Sequence, residues 1–252
     1  MPVVSIDLNA DLGESDVPRA EDLSLLQVVT SVSIACGGHA GNGKVMRALC
    51  SAAAQRGVVV GAHPSYPDRA GFGRRRLQLP PQQLRSSLLG QLDKLLQAAD
   101  DAEVAVGFVK PHGALYNDMA DDPTLAAAVA ATVAELGLPL LVLAHSAAVG
   151  AACQAGTTAY REGFADRGYR GDGRLMARHE AGSVLHDRRS VATQAVQIAT
   201  EHRVVAADTG RWTPVHADSL CLHSDTPGAV QLAAAVRRAL TEAGIDIVPF
   251  VR

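Results

Sequence analysis

Val58-Val59-Val60-Gly61-Ala62 is an uninterrupted apolar run that ends in His63-Pro64. A run without polar alternation marks a strand covered on both faces, the pattern of a parallel sheet. The segment before it reads as a helix over 44–56, with Asn42 as a candidate N-cap and Gly57 as its stop. Working outward in both directions, the same unit recurs: a short β-branched run, a polar loop, then an alanine-rich helix. Strands are expected at 3–9, 31–35, 105–110, 139–144, 157–161 and 220–222, with a short terminal strand at 245–248. Helices are expected at 81–99, from Pro123 to about Gly137, from Ser146 to Gly156, at 190–201, and from Thr226-Pro227 to Gly244. Strands alternating with helices of this length predict parallel βαβ units. Seven units in 252 residues match a (β/α) barrel in size, and an open α/β sheet is the alternative that periodicity does not separate. No linker, repeat or low-complexity run divides the chain, so a single domain over 1–252 is expected.

Composition narrows the function. Lys+Arg number 23 against 26 Asp+Glu, a net charge of −3, and aromatics make only 4%. Without a basic excess or stacking platforms, nucleic acid is not an expected partner. No stretch of about 18 apolar residues is present, so no membrane partner is expected. The N-terminus lacks the basic and apolar regions of an export signal. Cys36, Cys50, Cys153 and Cys221 are widely spaced and form no CxxC, which argues against zinc, redox or disulfide frameworks. A cytoplasmic location is the resulting expectation.

Chemistry-bearing residues gather at the C-terminal ends of the expected strands. The first strand runs into Asp7-Leu8-Asn9-Ala10-Asp11-Leu12-Gly13-Glu14, the second into Cys36-Gly37-Gly38-His39, and the third into His63-Pro64. The fourth ends in Lys110-Pro111-His112, the sixth leads to Glu162 and Asp166-Arg167, and the seventh ends in His223-Ser224-Asp225. In a parallel barrel these ends share one mouth, where substrates bind. Each residue alone could be a cap, a turn or a solvated charge. Together, His39, His63, Lys110, His112 and Asp166 point to a site. Imidazoles near neutral pH serve as general acids or bases. Lys110 and Arg167 are suited to a carboxylate or oxyanion, Lys110 alternatively as an amine of lowered pKa. Asp11, His39 and His63 also have the chemistry of a divalent-metal site, although no HxxxH or HExxH spacing supports one.

Two motifs are discounted. Gly38 to Val45 matches GxxxxGK but has Val45 where a P-loop needs a hydroxyl. Arg74-Arg75-Arg76 has the form of a phosphate clamp, yet such runs are more often solvated. His145, which follows a strand, is kept as an outside candidate.

These segments also carry a resemblance. Ile6 to Ser15, Ile34 to Gly41, Gly61 to Pro64, Gly71 to Arg75, Val109 to Asn117, Phe164 to Arg167 and His223 to Ala229 occur in the order seen in the LamB/YcsF family of 5-oxoprolinase A subunits. The chain resembles that family over nearly its whole length. The resemblance implies a distorted seven-stranded (β/α) TIM-like barrel of the glycoside hydrolase/deacetylase-like type. It implies hydrolysis of the lactam 5-oxo-L-proline to L-glutamate, with ATP as the coupled nucleotide and two partner subunits, B and C. It leaves a divalent metal open. On this reading Asp11, His39, His63, Lys110, His112 and Asp166 are catalytic, and Asn9, Glu14, Arg167 and His223 bind substrate. The family usually has Phe where this chain has Gly38, and its segment after Ser15 is usually longer. The competing readings are a stand-alone metal-dependent deacetylase or amide hydrolase, and a non-catalytic subunit that binds a lactam or sugar.

Overall fold

A computed structural model describes residues 4–251; the start of the first expected strand, at Val3, lies outside them. The chain alternates β1 (Ser5–Leu12), α1 (Ala20–Leu25), β2 (Ser31–Ala35), α2 (Gly43–Ala54), β3 (Val59–His63), α3 (Pro81–Asp100) and β4 (Val106–Val109). There follow α4 (Gly113–Asp121), α5 (Pro123–Ala134), β5 (Leu140–Leu143), α6 (Ala147–Gln154) and β6 (Ala159–Phe164). The last part holds α7 (Arg188–Glu201), the hairpin β7 (Arg203–Val205) and β8 (Trp212–Pro214), then β9 (Ser219–His223), α8 (Ala229–Glu242) and β10 (Asp246–Ile247). No helix among the described residues is long and apolar enough to cross a membrane.

Strands β1 to β6 pair in sequence order, all parallel, and β9 closes the ring by pairing with both β6 and β1. The result is the closed seven-stranded barrel, not the open sheet. Strand β10 adds to the start of β1, pairing Ser5 with Asp246.

Parity along the strands sorts the side chains. In β1, Leu8, Ala10 and Leu12 pack outward in the large core beneath the helices, while Asp7, Asn9 and Asp11 face into the barrel. Phe108, Leu141 and Val251 form a separate small cluster with Tyr160 and Phe250, sealing the lower barrel. Gly61 is required there: a Cβ would lie 2.3 Å from the Phe108 ring. Above this plug the interior turns polar.

Helix starts follow the sequence signals. Asn42 accepts from the amides of Lys44 and Val45, and Asp122 does the same for Thr124 and Leu125 ahead of Pro123. Three elements, α1, α4 and the β7–β8 hairpin, have no counterpart among the expected strands and helices. The α4 segment begins with Gly113 directly after the Lys110-Pro111-His112 motif, so it lacks an N-cap side chain and reads as loop.

Candidate active site

The barrel interior holds a column of hydrogen-bonded polar groups. At its base, Asp7 accepts from Thr30 Oγ1 and Ser31 Oγ, each at 2.7 Å, and from Ser219. Burial pushes the Asp7 carboxyl up to about 6 despite the three hydroxyl donors. Above it, the Asn9 amide donates to Glu162 Oε1 at 3.1 Å and to Ser219 Oγ at 2.6 Å. Lys110 Nζ then stands 2.7 Å from both Asp11 Oδ1 and Glu162 Oε1, 3.3 Å from Asn9 Oδ1 and 3.2 Å from Cys221 Sγ. Tyr116 donates to the other Glu162 oxygen at 2.8 Å. Burial works against the Lys110 ammonium, but Asp11, Cys221 and Glu162 hold its pKa well above the usual lysine value. Burial likewise opposes the Asp11 carboxylate, which His63 and Lys110 hold well below its ordinary range.

This geometry corrects two expectations. The pKa of Lys110 is raised and not lowered, and its ammonium is hydrogen-bonded to Asn9, Glu162 and Cys221 and paired with Asp11. Asn9 is not among the residues that line the cavity. It lies fully buried beneath the cavity, where it braces Lys110 and Glu162.

Beside the column sit three histidines and Glu14. His63 approaches Asp11 Oδ2 at 3.4 Å through Nε2, and its Nδ1 meets the carbonyl of Lys110 at 2.7 Å. His112 Nδ1 is 3.0 Å from His63 Nε2, and its Nε2 is 3.0 Å from the carbonyl of Phe72. The His39 ring stacks on His112 with centroids 3.7 Å apart. One oxygen of Glu14 lies 3.3 Å from both His39 Nε2 and His112 Nδ1. Burial drives His39 down to about 2, helped by His63, and drives His112 well below its usual value, so both are neutral imidazoles. Glu14, His39, His63 and His112 each present one donor atom, all within 4.8 Å of one another. Glu14 thus takes the place expected for Asp11 in a metal-binding set.

Across the cavity, both Asp166 oxygens lie within 3.1 Å of His223 Nδ1, and Asp166 also accepts from the His223 amide. Burial alone would raise the Asp166 carboxyl, but His223 holds it below its ordinary value. The partner of Asp166 is therefore His223. Arg167 lines the cavity, yet its Nε and Nη2 are bound to the carbonyls of Ser183 and Met176. Its first duty is to hold the loop after β6 over the mouth.

The cavity has a volume of about 510 Å³ and opens at the C-terminal ends of the strands. Asp11, Glu14, His63, Lys110, His112 and His223 all line it; His39 lies buried just behind Glu14 and His112. At the rim, Arg74 and Arg178 share the carboxylate of Asp225, at 2.8 and 3.2 Å, and Arg170 and Arg174 add two further guanidinium groups. The discounted motifs stay outside the chemistry. Asn42 occupies the helix-start amides that a P-loop would offer to phosphate, and Lys44 is exposed. Arg74, Arg75 and Arg76 are paired with Asp225, Asp68 and Asp122. His145 binds the carbonyl of Pro214 at 2.8 Å, away from the cavity.

Tyr116 and Cys221 belong to the site although sequence reasoning does not select them, and Glu162, named among the strand-end residues but not in the expected site set, joins them. Strand β6 starts two residues later than its expected position. It also ends three residues later, at Phe164 and not Arg161, which carries Glu162 onto the strand, pointing inward. The place of Glu162 directly after the expected strand, next to Arg161, is the available signal.

The family model for the LamB/YcsF family matches residues 6–252. The chain belongs to the LamB/YcsF family. A family relative, the 5-oxoprolinase A subunit of Streptomyces griseus, is 47% identical over 97% of this chain and 99% of its own length. The lactam utilization protein of Thermus thermophilus superposes with a TM-score of 0.90 at 36% identity, covering 97% of this chain and 99% of its own. A family 4 carbohydrate esterase from Streptomyces lividans shares the fold alone, with a TM-score of 0.50 at 12% identity over 97% of this chain and 92% of its own.

Proposed function

We propose that this LamB/YcsF chain is the A subunit of an ATP-dependent 5-oxoprolinase, opening 5-oxo-L-proline to L-glutamate together with B and C subunits. The observation that carries this reading is the full-length likeness to 5-oxoprolinase A subunits and to a lactam utilization protein, joined to a cavity built for amide hydrolysis. Lactam opening adds water to the ring carbonyl carbon, breaks the C–N bond and delivers a proton to the departing nitrogen. The His223–Asp166 pair is arranged as a proton carrier with its orienter: Asp166 holds Nδ1 and leaves Nε2 for the cavity. The arginine-rich rim suits the carboxylate of an anionic substrate. Asp11, fixed by the Lys110 ammonium, keeps a negative charge beside the histidines without titrating near neutral pH.

The ATP step is assigned to the partner subunits, because the P-loop-like segment has its helix-start amides capped by Asn42. In this division of labour the partners activate the lactam with ATP, and the A subunit supplies the hydrolytic groups. The test is reconstitution of the chain with its B and C partners, measuring ATP-dependent glutamate release while each component is omitted in turn. Release only from the complete mixture supports the proposal. Turnover of 5-oxoproline by the remaining components without this chain would overturn it.

A further inference from the structure

We infer that Glu14, His39, His63 and His112 form a binding site for one divalent transition cation. The inference rests on the convergence of their four donor atoms, all within 4.8 Å of one another, and it stands apart from the choice of substrate. His63 Nδ1 lies 2.7 Å from the carbonyl oxygen of Lys110. A carbonyl oxygen only accepts, so Nδ1 carries a proton, and in the neutral ring Nε2 offers a lone pair. His112 Nε2 lies 3.0 Å from the carbonyl oxygen of Phe72, which by the same logic places its lone pair on Nδ1. Those two lone pairs confront each other at 3.0 Å. The nearest further groups are also acceptors: Glu14 Oε1 at 3.3 Å from His112 Nδ1, and Asp11 Oδ2 at 3.4 Å from His63 Nε2. His39 adds a further nitrogen 3.3 Å from the same Glu14 oxygen. Neither of its ring nitrogens has a hydrogen-bond partner among the described residues, and the residue is 1% exposed. This buried cluster of nitrogen and carboxylate acceptors is one that a bound cation would satisfy.

The spacing suits a metal ion. Nitrogen and oxygen donors about 2.0–2.1 Å from one ion lie roughly 3.0–3.4 Å apart at the edges of an octahedron or tetrahedron. Three of the contacts among these four side chains are 3.0, 3.3 and 3.3 Å, and His63 to Glu14 is 4.0 Å. Three imidazoles and one carboxylate select borderline cations such as Zn²⁺, Co²⁺ or Ni²⁺ over Mg²⁺ and Ca²⁺, which require mostly oxygen. The carbonyls of Lys110 and Phe72 fix the outer ring nitrogens, as the outer partners of metal-bound histidines do. Since the four donors come from four separate strand ends and loops, no local spacing announces them.

The purified full-length chain, stripped by a chelator and dialysed, is titrated with ZnCl₂ by calorimetry and with CoCl₂ by visible absorption. One ion per chain and ligand-field bands of Co²⁺ bound to nitrogen donors are expected. Glu14→Gln, which keeps side-chain size, and His63→Ala should each weaken Zn²⁺ binding at least about 100-fold. Circular dichroism serves as the folding control. Absence of stoichiometric uptake by the folded wild-type chain would overturn the inference. So would wild-type affinity in a folded Glu14→Gln variant. A proton shared between His63 and His112, seen by NMR in a chain that takes up no ion, is the third outcome and also overturns it.

Discussion

Lys110 Nζ stands 2.7 Å from Glu162 Oε1 in a barrel interior where Glu162 has no exposed surface. The contact joins β6 to the turn after β4, across the barrel, and the same ammonium holds Asp11. Removing one partner from a buried ion pair leaves the other uncompensated. Lys110→Ala should therefore lower unfolding stability by about 3–5 kcal/mol, measured by urea denaturation, and abolish glutamate release in the reconstituted complex. Wild-type stability in this variant would show that the network is not a structural brace.

Both Asp166 oxygens lie within 3.1 Å of His223 Nδ1, so the two are expected to act as one unit in the proposed reaction. Asp166→Asn and His223→Gln should each lower kcat by roughly 10²–10⁴ while leaving the melting temperature nearly unchanged. The double variant should be no worse than the poorer single one, since a base and its orienter fail together. Multiplicative losses in steady-state assays would separate their roles.

Asp7 gives the stability curve its pH dependence at the barrel base. Its carboxyl is raised from 3.8 to about 6 in the folded chain, chiefly by burial. The folded state binds this proton more tightly, so the contribution is fully present below about 3.8 and lost as pH rises through about 6. A rise of that size corresponds to about 3 kcal/mol. The stability of Asp7→Asn relative to wild type should therefore improve steadily between about pH 4 and pH 6 and then level off. Parallel denaturation curves at several pH values measure it, and a constant difference across that range would refute the shift.

Gly73 lets the Phe72 loop rest on the histidines. Its φ is +65°, and a Cβ there would meet His39 Cβ at 2.9 Å and His112 Cδ2 at 3.0 Å. The left-handed backbone alone costs an alanine about 1–2 kcal/mol, and the contact adds to that. Gly73→Ala should reduce both the melting temperature and glutamate release. Gly137→Ala, at φ +67° with no atom within 4 Å of the added carbon, should reduce the melting temperature alone.

Much of the architecture is legible in the chain. The expected strand at 31–35 coincides with β2, and the helices begun by Asn42, Pro81, Asp122 and Ser146 start where their capping signals place them. Those signals are local, so they survive without knowledge of the rest of the molecule. The short α1 and the β7–β8 hairpin carry weak local preference and form through contacts such as the Arg203 guanidinium over the Trp212 ring, 4.0 Å from its centroid. Likewise, most of the expected site residues line the cavity. Their individual roles are less legible, because role depends on partners. Asn9 is a brace, Arg167 a loop anchor, and Asp166 the partner of His223 in particular.

The order of strands and helices, the outward face of β1 and the gathering of histidines at strand ends were determined by the chain itself, through periods of two and 3.6 residues and through caps that act over a few positions. Which carboxylate meets Lys110, which nitrogen of His63 keeps its proton, and which donors converge with Glu14 were decided only by barrel closure. Closure brings residues far apart in the chain, such as Asn9 and Lys110, to within 3.3 Å. Protonation and charge pairing depend on those distances, and no periodicity in the sequence encodes them.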